Sequence, residues 1–265
     1  MRLSIIQTNP VFGEIHRNIY TALEQMKSVN ADFFVLPELF NTGYNFISKN
    51  EVEQFSETAE GQTFQEIAMF TKKKNCYCVY GFAEKETDND STRYFNSSAL
   101  VGPDGLIGVY RKVHLFYKEN IFFSPGNLGF PVFETPIGKI GMMICFDWYY
   151  PESARTLALK GALLIAHPSN LVMPHCPDAM ITRCIENRIF AATANRVGGE
   201  NRGEINLNFI GKSEIVSPRG KILVRLGEHE AESAVEKIEL TEARQKKLNE
   251  YNDIFEGRRE ELYFR

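Results

Sequence analysis

Three short apolar segments, each ending in a single reactive side chain, constrain this chain more than any other feature. Phe33-Phe34-Val35-Leu36-Pro37 leads to Glu38, Ile107-Gly108-Val109-Tyr110-Arg111 to Lys112, and Ile140-Gly141-Met142-Met143-Ile144 to Cys145. Short apolar runs of this kind read as buried strands. Helical patterns alternate with them over most of the length. Ile15, Ile19, Leu23 and Met26 recur at spacings of four, four and three, predicting an amphipathic helix from about Glu14 to Val29. Phe64, Ile67, Ala68 and Thr71 share one face of a second helix, from about Thr63 to Lys74.

Further strands are predicted at Arg2–Gln7, Cys76–Ala83, Leu163–Ala166, Phe190–Val197 and Ser233–Ile238. Gly102-Pro103-Asp104-Gly105 joins Asn96–Val101 to Ile107–Arg111 as a hairpin, and Ser217-Pro218-Arg219-Gly220 joins Lys212–Val216 to Lys221–Arg225 as another. The polar stretch Glu84–Arg93 reads as a loop. Pro151-Glu152 opens a helix that Gly161 closes, and Pro177–Arg188 forms the next. No repeat or linker divides the chain, so its 265 residues read as one mixed α/β domain over 1–240. The remainder, 241–265, is charged yet carries Leu248, Tyr251, Ile254, Phe255, Leu262, Tyr263 and Phe264. A disordered tail rarely holds so many large apolar groups, so this arm is expected to dock.

Composition removes several function classes. With 30 basic and 34 acidic residues, the net charge is −4. A nucleic-acid partner is not expected without a basic surface. Lys72, Lys73 and Lys74 read as a solvated helix end. No run approaches the ~20 apolar residues of a membrane span, and the first residues lack the pattern of a secretory signal. Five cysteines include no CxxC pair, and Cys76 and Cys78 fall on one face of a strand. A reducing, cytoplasmic setting is the expectation.

A carboxylate, an ammonium and a thiol at three strand ends are chemically complementary. Each alone has an ordinary role, as a cap, a solvated charge or a packed thiol. Together they suit covalent catalysis. A thiol needs a base before it attacks. A carboxylate among Phe, Leu and Tyr acquires a raised pKa. An ammonium beside a backbone N–H, here that of Phe146, stabilises an oxyanion.

The blocks around these residues resemble those of the nitrilase, or carbon–nitrogen hydrolase, superfamily. Leu36-Pro37-Glu38 resembles its glutamate block and Tyr110-Arg111-Lys112-Val113-His114-Leu115-Phe116 its lysine block. Cys145-Phe146-Asp147-Trp148-Tyr149-Tyr150-Pro151-Glu152 resembles its cysteine block, and Glu119 its second glutamate. The likeness runs to Gly257-Arg258-Arg259-Glu260-Glu261-Leu262-Tyr263. What it implies is a four-layer αββα sandwich that pairs into a homodimer or higher homo-oligomer, with the 241–265 arm on the partner. It also implies a Glu38–Lys112–Cys145 triad with Glu119, working through a thioester without metal or organic cofactor. The implied substrate is a small-molecule amide or nitrile.

Nitrile hydrolysers of the superfamily usually carry Cys-Trp-Glu at the nucleophile. Cys145-Phe146-Asp147 is closer to the amidase and carbamoylase branches, so an amidase is expected, with nitrilase or N-carbamoyl amine hydrolase as alternatives. Tyr44, Trp148 and Asn170 are the candidate substrate-binding residues. Arg155 and Arg188 are possible clamps for a substrate carboxylate, with a structural ion pair preferred for Arg188. Rival readings are a papain-like thiol–imidazole pair using His114 or His167, a metal site of His167, His175 and Cys176, and a non-catalytic binding or scaffold protein.

Overall fold

The computed structural model describes residues 1–88 and 91–263. Its first half contains β1 (Arg2–Ile6), α1 (Ile15–Ser28), β2 (Phe33–Val35), α2 (Lys49–Phe55), α3 (Gln62–Lys74), β3 (Tyr77–Asp88), β4 (Ser91–Gly102), β5 (Gly105–Arg111) and the short α4 (Glu119–Phe122). The second half contains β6 (Val132–Thr135), β7 (Gly138–Met142), α5 (Pro151–Leu159), β8 (Leu164–Pro168), α6 (Cys176–Asn187), β9 (Phe190–Ala194), β10 (Gly199–Arg202), β11 (Ile205–Asn208), β12 (Glu214–Val216), β13 (Ile222–Arg225) and β14 (Ser233–Lys237).

Two six-stranded sheets result, ordered β14-β1-β2-β3-β4-β5 and β13-β12-β9-β8-β7-β6. Each has three parallel strands at its centre, β1–β2–β3 in one and β7–β8–β9 in the other, flanked by antiparallel neighbours. The period of two along a strand decides which side chain goes where. Leu3, Ile5, Phe33, Val35 and Val79 face the second sheet. Ile6, Phe34, Cys78 and Tyr80 face outward and pack under α1 and α3, which bury Ile19, Leu23, Met26, Ile67 and Phe70. Helices α5 and α6 cover the second sheet, against β7, β9 and β12. The order helix, sheet, sheet, helix is the four-layer sandwich that the resemblance implies.

The outer cluster holds both Cys76 and Cys78, on one face as the spacing predicts, and all five cysteines are free thiols. The stretch Glu84–Arg93 departs from the expected loop. Its described residues extend the β3–β4 ladder, pairing Glu84 with Phe95, Glu86 with Arg93 and Thr87 with Thr92. This end of the hairpin is solvated, so its outer residues are polar on both faces and carry no alternation to read. Asn89 and Asp90 lie outside the described residues. Helix α2 was also missed, although Ser48 and Glu51 form a start signal: the Glu51 N–H donates to Ser48 Oγ at 3.3 Å. Strands β6, β10 and β11 are short and partly exposed, with too few buried positions to set a period.

The arm beyond 240 divides. A 3₁₀ turn over Leu240–Arg244 buries Leu240 and Ala243 against the core. Phe255 packs under Arg155 and Lys246, whose ammonium donates to the Asn187 and Arg188 carbonyls at the end of α6. Leu248, Tyr251, Leu262 and Tyr263 are exposed, and Phe264 lies outside the described residues. Among the described residues no helix is long and apolar enough to cross a membrane.

Candidate active site

Glu38 leaves β2 through Pro37 and is wholly buried. The next residue, Leu39, has φ of 48°, in the left-handed region, which turns the chain sharply away from the sheet. The turn lies against Gly81 of β3, where a Cβ atom would stand 2.5 Å from Glu38 Cα. Only glycine allows that approach. The Asn170 side chain donates to the Glu38 carbonyl at 2.8 Å, fixing the same turn from the second sheet.

Lys112 follows β5 and is likewise buried. Its backbone is held on both sides, donating to the Asn96 carbonyl and accepting from the Gly126 N–H, each at 2.8 Å. Its ammonium donates to Glu38 Oε1 at 2.7 Å and to Glu119 Oε1 at 2.8 Å. Asn96 also donates from its side chain to Glu38 Oε1 at 2.6 Å. Glu38 Oε1 therefore carries two donors, while the buried Oε2 has no partner among the described residues. Glu119 opens α4 and accepts from the Phe116 N–H at 3.2 Å and the Tyr44 hydroxyl at 2.6 Å.

Cys145 starts a 3₁₀ turn, Cys145–Tyr149, with φ of 39°. A non-glycine residue in that region is strained and must be held by its surroundings. His167, at the end of β8, supplies one hold: its Nε2 lies 3.0 Å from the Cys145 carbonyl. A carbonyl only accepts, so Nε2 carries the proton and Nδ1 accepts from the Thr193 hydroxyl at 3.0 Å. Burial pushes the His167 pKa down to about 4, which keeps the ring neutral. As second residue of its turn, Phe146 has an N–H without an intrahelical acceptor.

Burial dominates the electrostatics. It raises Glu38 to about 7, against the lowering influence of Lys112. It also holds the Cys145 thiol well above its ordinary value, with Glu38 adding to the rise and Lys112 opposing it. For Lys112 burial acts downward, but Glu119 and Glu38 outweigh it and the ammonium stays charged. The resting site thus holds a protonated thiol within electrostatic reach of a carboxylate that titrates near neutrality.

Around Cys145 the cavity wall is Phe116, Trp148, Asn170, Leu171, Val172 and Met173. Phe116 also borders a second hollow with Tyr44, Phe46, Phe123, Ile205 and Leu207, where Asn45, Lys118 and Glu119 are the polar lining residues. Trp148 and Asn170, two of the candidate substrate-binding residues, line the cavity at Cys145. Tyr44 contributes its ring to the wall, while its hydroxyl is taken by Glu119. A wider groove of about 700 Å³ runs between the arm and α5 and contains none of these residues.

A family model described as carbon-nitrogen hydrolase matches residues 2–247. The chain belongs to that family. It is 48% identical to a nitrilase of Pyrococcus abyssi over the full length of both chains. It is 32% identical to an (R)-stereoselective amidase of a Pseudomonas species, across 89% of this chain and 84% of the relative. The crystal structure of a carbon-nitrogen hydrolase from Helicobacter pylori shares the fold, with a TM-score of 0.86, 24% identity and coverage of 99% and 96%. This carbon-nitrogen hydrolase is therefore an enzyme acting on carbon–nitrogen bonds other than peptide bonds.

His114 Nδ1 is bonded to Asp147 at 2.7 Å and His167 Nε2 to the Cys145 carbonyl at 3.0 Å, and among the described residues neither ring is hydrogen-bonded to the Cys145 thiol. Among the described residues no group of three His, Cys, Asp or Glu side chains could hold a metal ion. Arg155 donates to the Glu186 carbonyl and lies over Phe255, 5.5 Å from the ring centre, on the side of the arm. Arg188 ends α6 in the left-handed region (φ 47°) and makes no ion pair among the described residues, contrary to expectation.

Sequence reasoning missed Asn96, which sits in the middle of a strand and has no motif around it. It also missed the buried Arg196–Glu200 ion pair beside β10. Glu200 accepts the N–H groups of Tyr44 and Asn45, at 3.1 and 2.7 Å, and so carries the loop that brings Tyr44 to Glu119. A buried Arg four residues before a Glu is indistinguishable from a surface pair in sequence.

Proposed function

We propose that this hydrolase cleaves small-molecule amides with Cys145 as nucleophile, Glu38 as general base and acid, and Lys112 as the oxyanion-binding cation. The observation that carries the reading is the division of labour at Glu38: Oε1 is tied to Asn96 and Lys112, whereas the buried Oε2 is left to accept a proton. Glu38 Oε2 takes the thiol proton and the thiolate attacks the amide carbon. The oxyanion is held by Lys112 and the Phe146 N–H. The carbon–nitrogen bond then breaks as Glu38 returns its proton to the nitrogen, releasing ammonia or an amine and leaving a thioester. Water, deprotonated by Glu38, attacks that thioester. The carbon–sulfur bond breaks, the acid leaves and the thiol regains its proton. Glu119 keeps Lys112 in place from the other side and helps to position the water.

The apolar lining around Cys145 suits an uncharged acyl group, contacted by Trp148 and Asn170, with the Tyr44 ring in the adjoining hollow. Nitrile hydrolysis is the second reading, favoured by the name of the Pyrococcus abyssi relative. N-carbamoyl amines require the same chemistry. Ammonia release from a panel of aliphatic and aromatic amides, ω-amides, N-carbamoyl amines and nitriles, with C145A alongside, decides between them. Amide turnover that vanishes in C145A is the expected result. Turnover of nitriles alone transfers the enzyme to the second reading, and turnover that survives in C145A overturns the nucleophile.

For the arm, 241–265, docking on a second copy accounts for the exposed Leu248, Tyr251, Leu262 and Tyr263, and a homodimer follows. Sedimentation of the chain truncated at Thr241 tests it, and an intact, equally stable dimer refutes it. Five free cysteines fit a reducing compartment such as the cytoplasm.

A further inference from the structure

Asp147 lies two residues after Cys145 and is completely buried. Its two oxygens accept four hydrogen bonds. Oδ2 accepts from the Tyr110 hydroxyl at 2.6 Å and the Ile144 N–H at 2.9 Å. Oδ1 accepts from the His114 N–H at 3.1 Å and from His114 Nδ1 at 2.7 Å. The donors are not scattered. Tyr110 and His114 lie two residues before and two residues after Lys112, and Ile144 immediately precedes Cys145. The Tyr110 hydroxyl in turn accepts the Val113 N–H at 3.2 Å, so the chain on both sides of Lys112 converges on one carboxylate. The His114 ring stacks on Tyr150, with centroids 3.7 Å apart.

We propose that Asp147 is a positioning residue, a buried clasp that fixes the strained turn of Cys145 against the segment bearing Lys112. With all four strong acceptor directions filled, Asp147 has no capacity left for substrate. The aspartate that distinguishes this chain from Cys-Trp-Glu sequences therefore acts through the geometry of thiol and ammonium. This reading rests on the proposed roles of Cys145 and Lys112. A misplacement of about 1 Å at a reacting group costs up to ~100-fold in rate, and the clasp spans the thiol that attacks the substrate carbon and the ammonium that holds its oxygen.

The test uses iodoacetamide on the full-length protein, with the maximal alkylation rate and the half-saturating concentration at Cys145 read separately by peptide mass spectrometry. H114L and H114N both remove the ring stacked on Tyr150, but Asn returns an N–H donor at the place of Nδ1. The expected result is a roughly 10-fold slower maximal rate for H114L, recovery to within about threefold of wild type for H114N, and an unchanged half-saturating concentration in both. Y110F, which leaves the shape of the core intact, is expected to fall with H114L. Equal maximal rates for H114L and H114N, or a change confined to the half-saturating concentration, overturn the clasp while leaving the nucleophile in place. A wild-type Cys145 that reacts no faster than Cys76 overturns the nucleophile and the clasp together.

Discussion

Replacing Glu38 by Gln is expected to slow turnover by orders of magnitude and, at alkaline pH, to make the protein more stable. The carboxylate is fully buried and its pKa is raised from 4.5 to about 7. In the unfolded chain the group ionises around 4.5, so between 4.5 and 7 the folded state binds more protons than the unfolded one. Stability contributed by this site is therefore present at low pH and lost as pH rises through 7. A difference of about 2.5 pH units at ~1.4 kcal/mol each makes the ionised carboxylate cost about 3 kcal/mol above pH 7. Gln removes that cost without a clash. Its oxygen can keep the bonds from Asn96 and Lys112, its NH₂ occupies the place of Oε2, where no donor points, and Lys112 retains Glu119.

Urea unfolding of wild type and E38Q at pH 8 and pH 5 measures the effect. A gain approaching 3 kcal/mol at pH 8 that shrinks below about 1 at pH 5 is expected, while ammonia release falls by roughly 10²- to 10⁴-fold. In the wild type, iodoacetamide labelling of Cys145 should fall about tenfold per pH unit below 7, as the base becomes protonated. A variant less stable than wild type at pH 8, or a gain of equal size at both pH values, would refute the reasoning. Function here opposes stability, as expected of a charge kept in a dry site.

Two further predictions have independent causes. His167 is depressed from 6.5 to about 4 by burial, so its contribution has the opposite sign: it is lost as pH falls from 6.5 to 4, by about 3 kcal/mol in all. H167Q keeps a donor near the Cys145 carbonyl, and its stability relative to wild type should climb across that window. Parallel unfolding curves would sink the idea. Arg196 is buried with Glu200, and R196M leaves that carboxylate without its cation. A loss of about 3–5 kcal/mol is expected in chemical denaturation, largely restored in R196M/E200Q. A single-variant cost below about 1 kcal/mol would contradict this.

The two halves of the sandwich were legible because each buried strand is written as a short apolar run. Glu38, Lys112 and Cys145 stood out for the same reason, as lone reactive groups where such runs stop. The helices over Ile15–Ser28, Gln62–Lys74, Pro151–Leu159 and Cys176–Asn187 were equally readable, from apolar periodicity or from Pro and Gly at their ends. The solvated end of the β3–β4 hairpin was not, since polar residues on both faces leave no pattern.

What the sequence determined by itself is which segments are buried and which functional groups their ends deliver. Burial patterns are local, set by the period of each element and by the residues that stop it. Tertiary structure alone decided which of these groups share a charge or a proton. Lys112 reaches Glu38 across 74 positions of chain, and Asn96 reaches it across 58. Glu38 acquires a pKa near neutrality only because both faces of its sheet are covered, and Asp147 can join the lysine and cysteine segments only because their strands belong to opposing sheets. Hydrogen bonds and desolvation depend on distances of a few ångströms, and the linear order of residues carries no such distances.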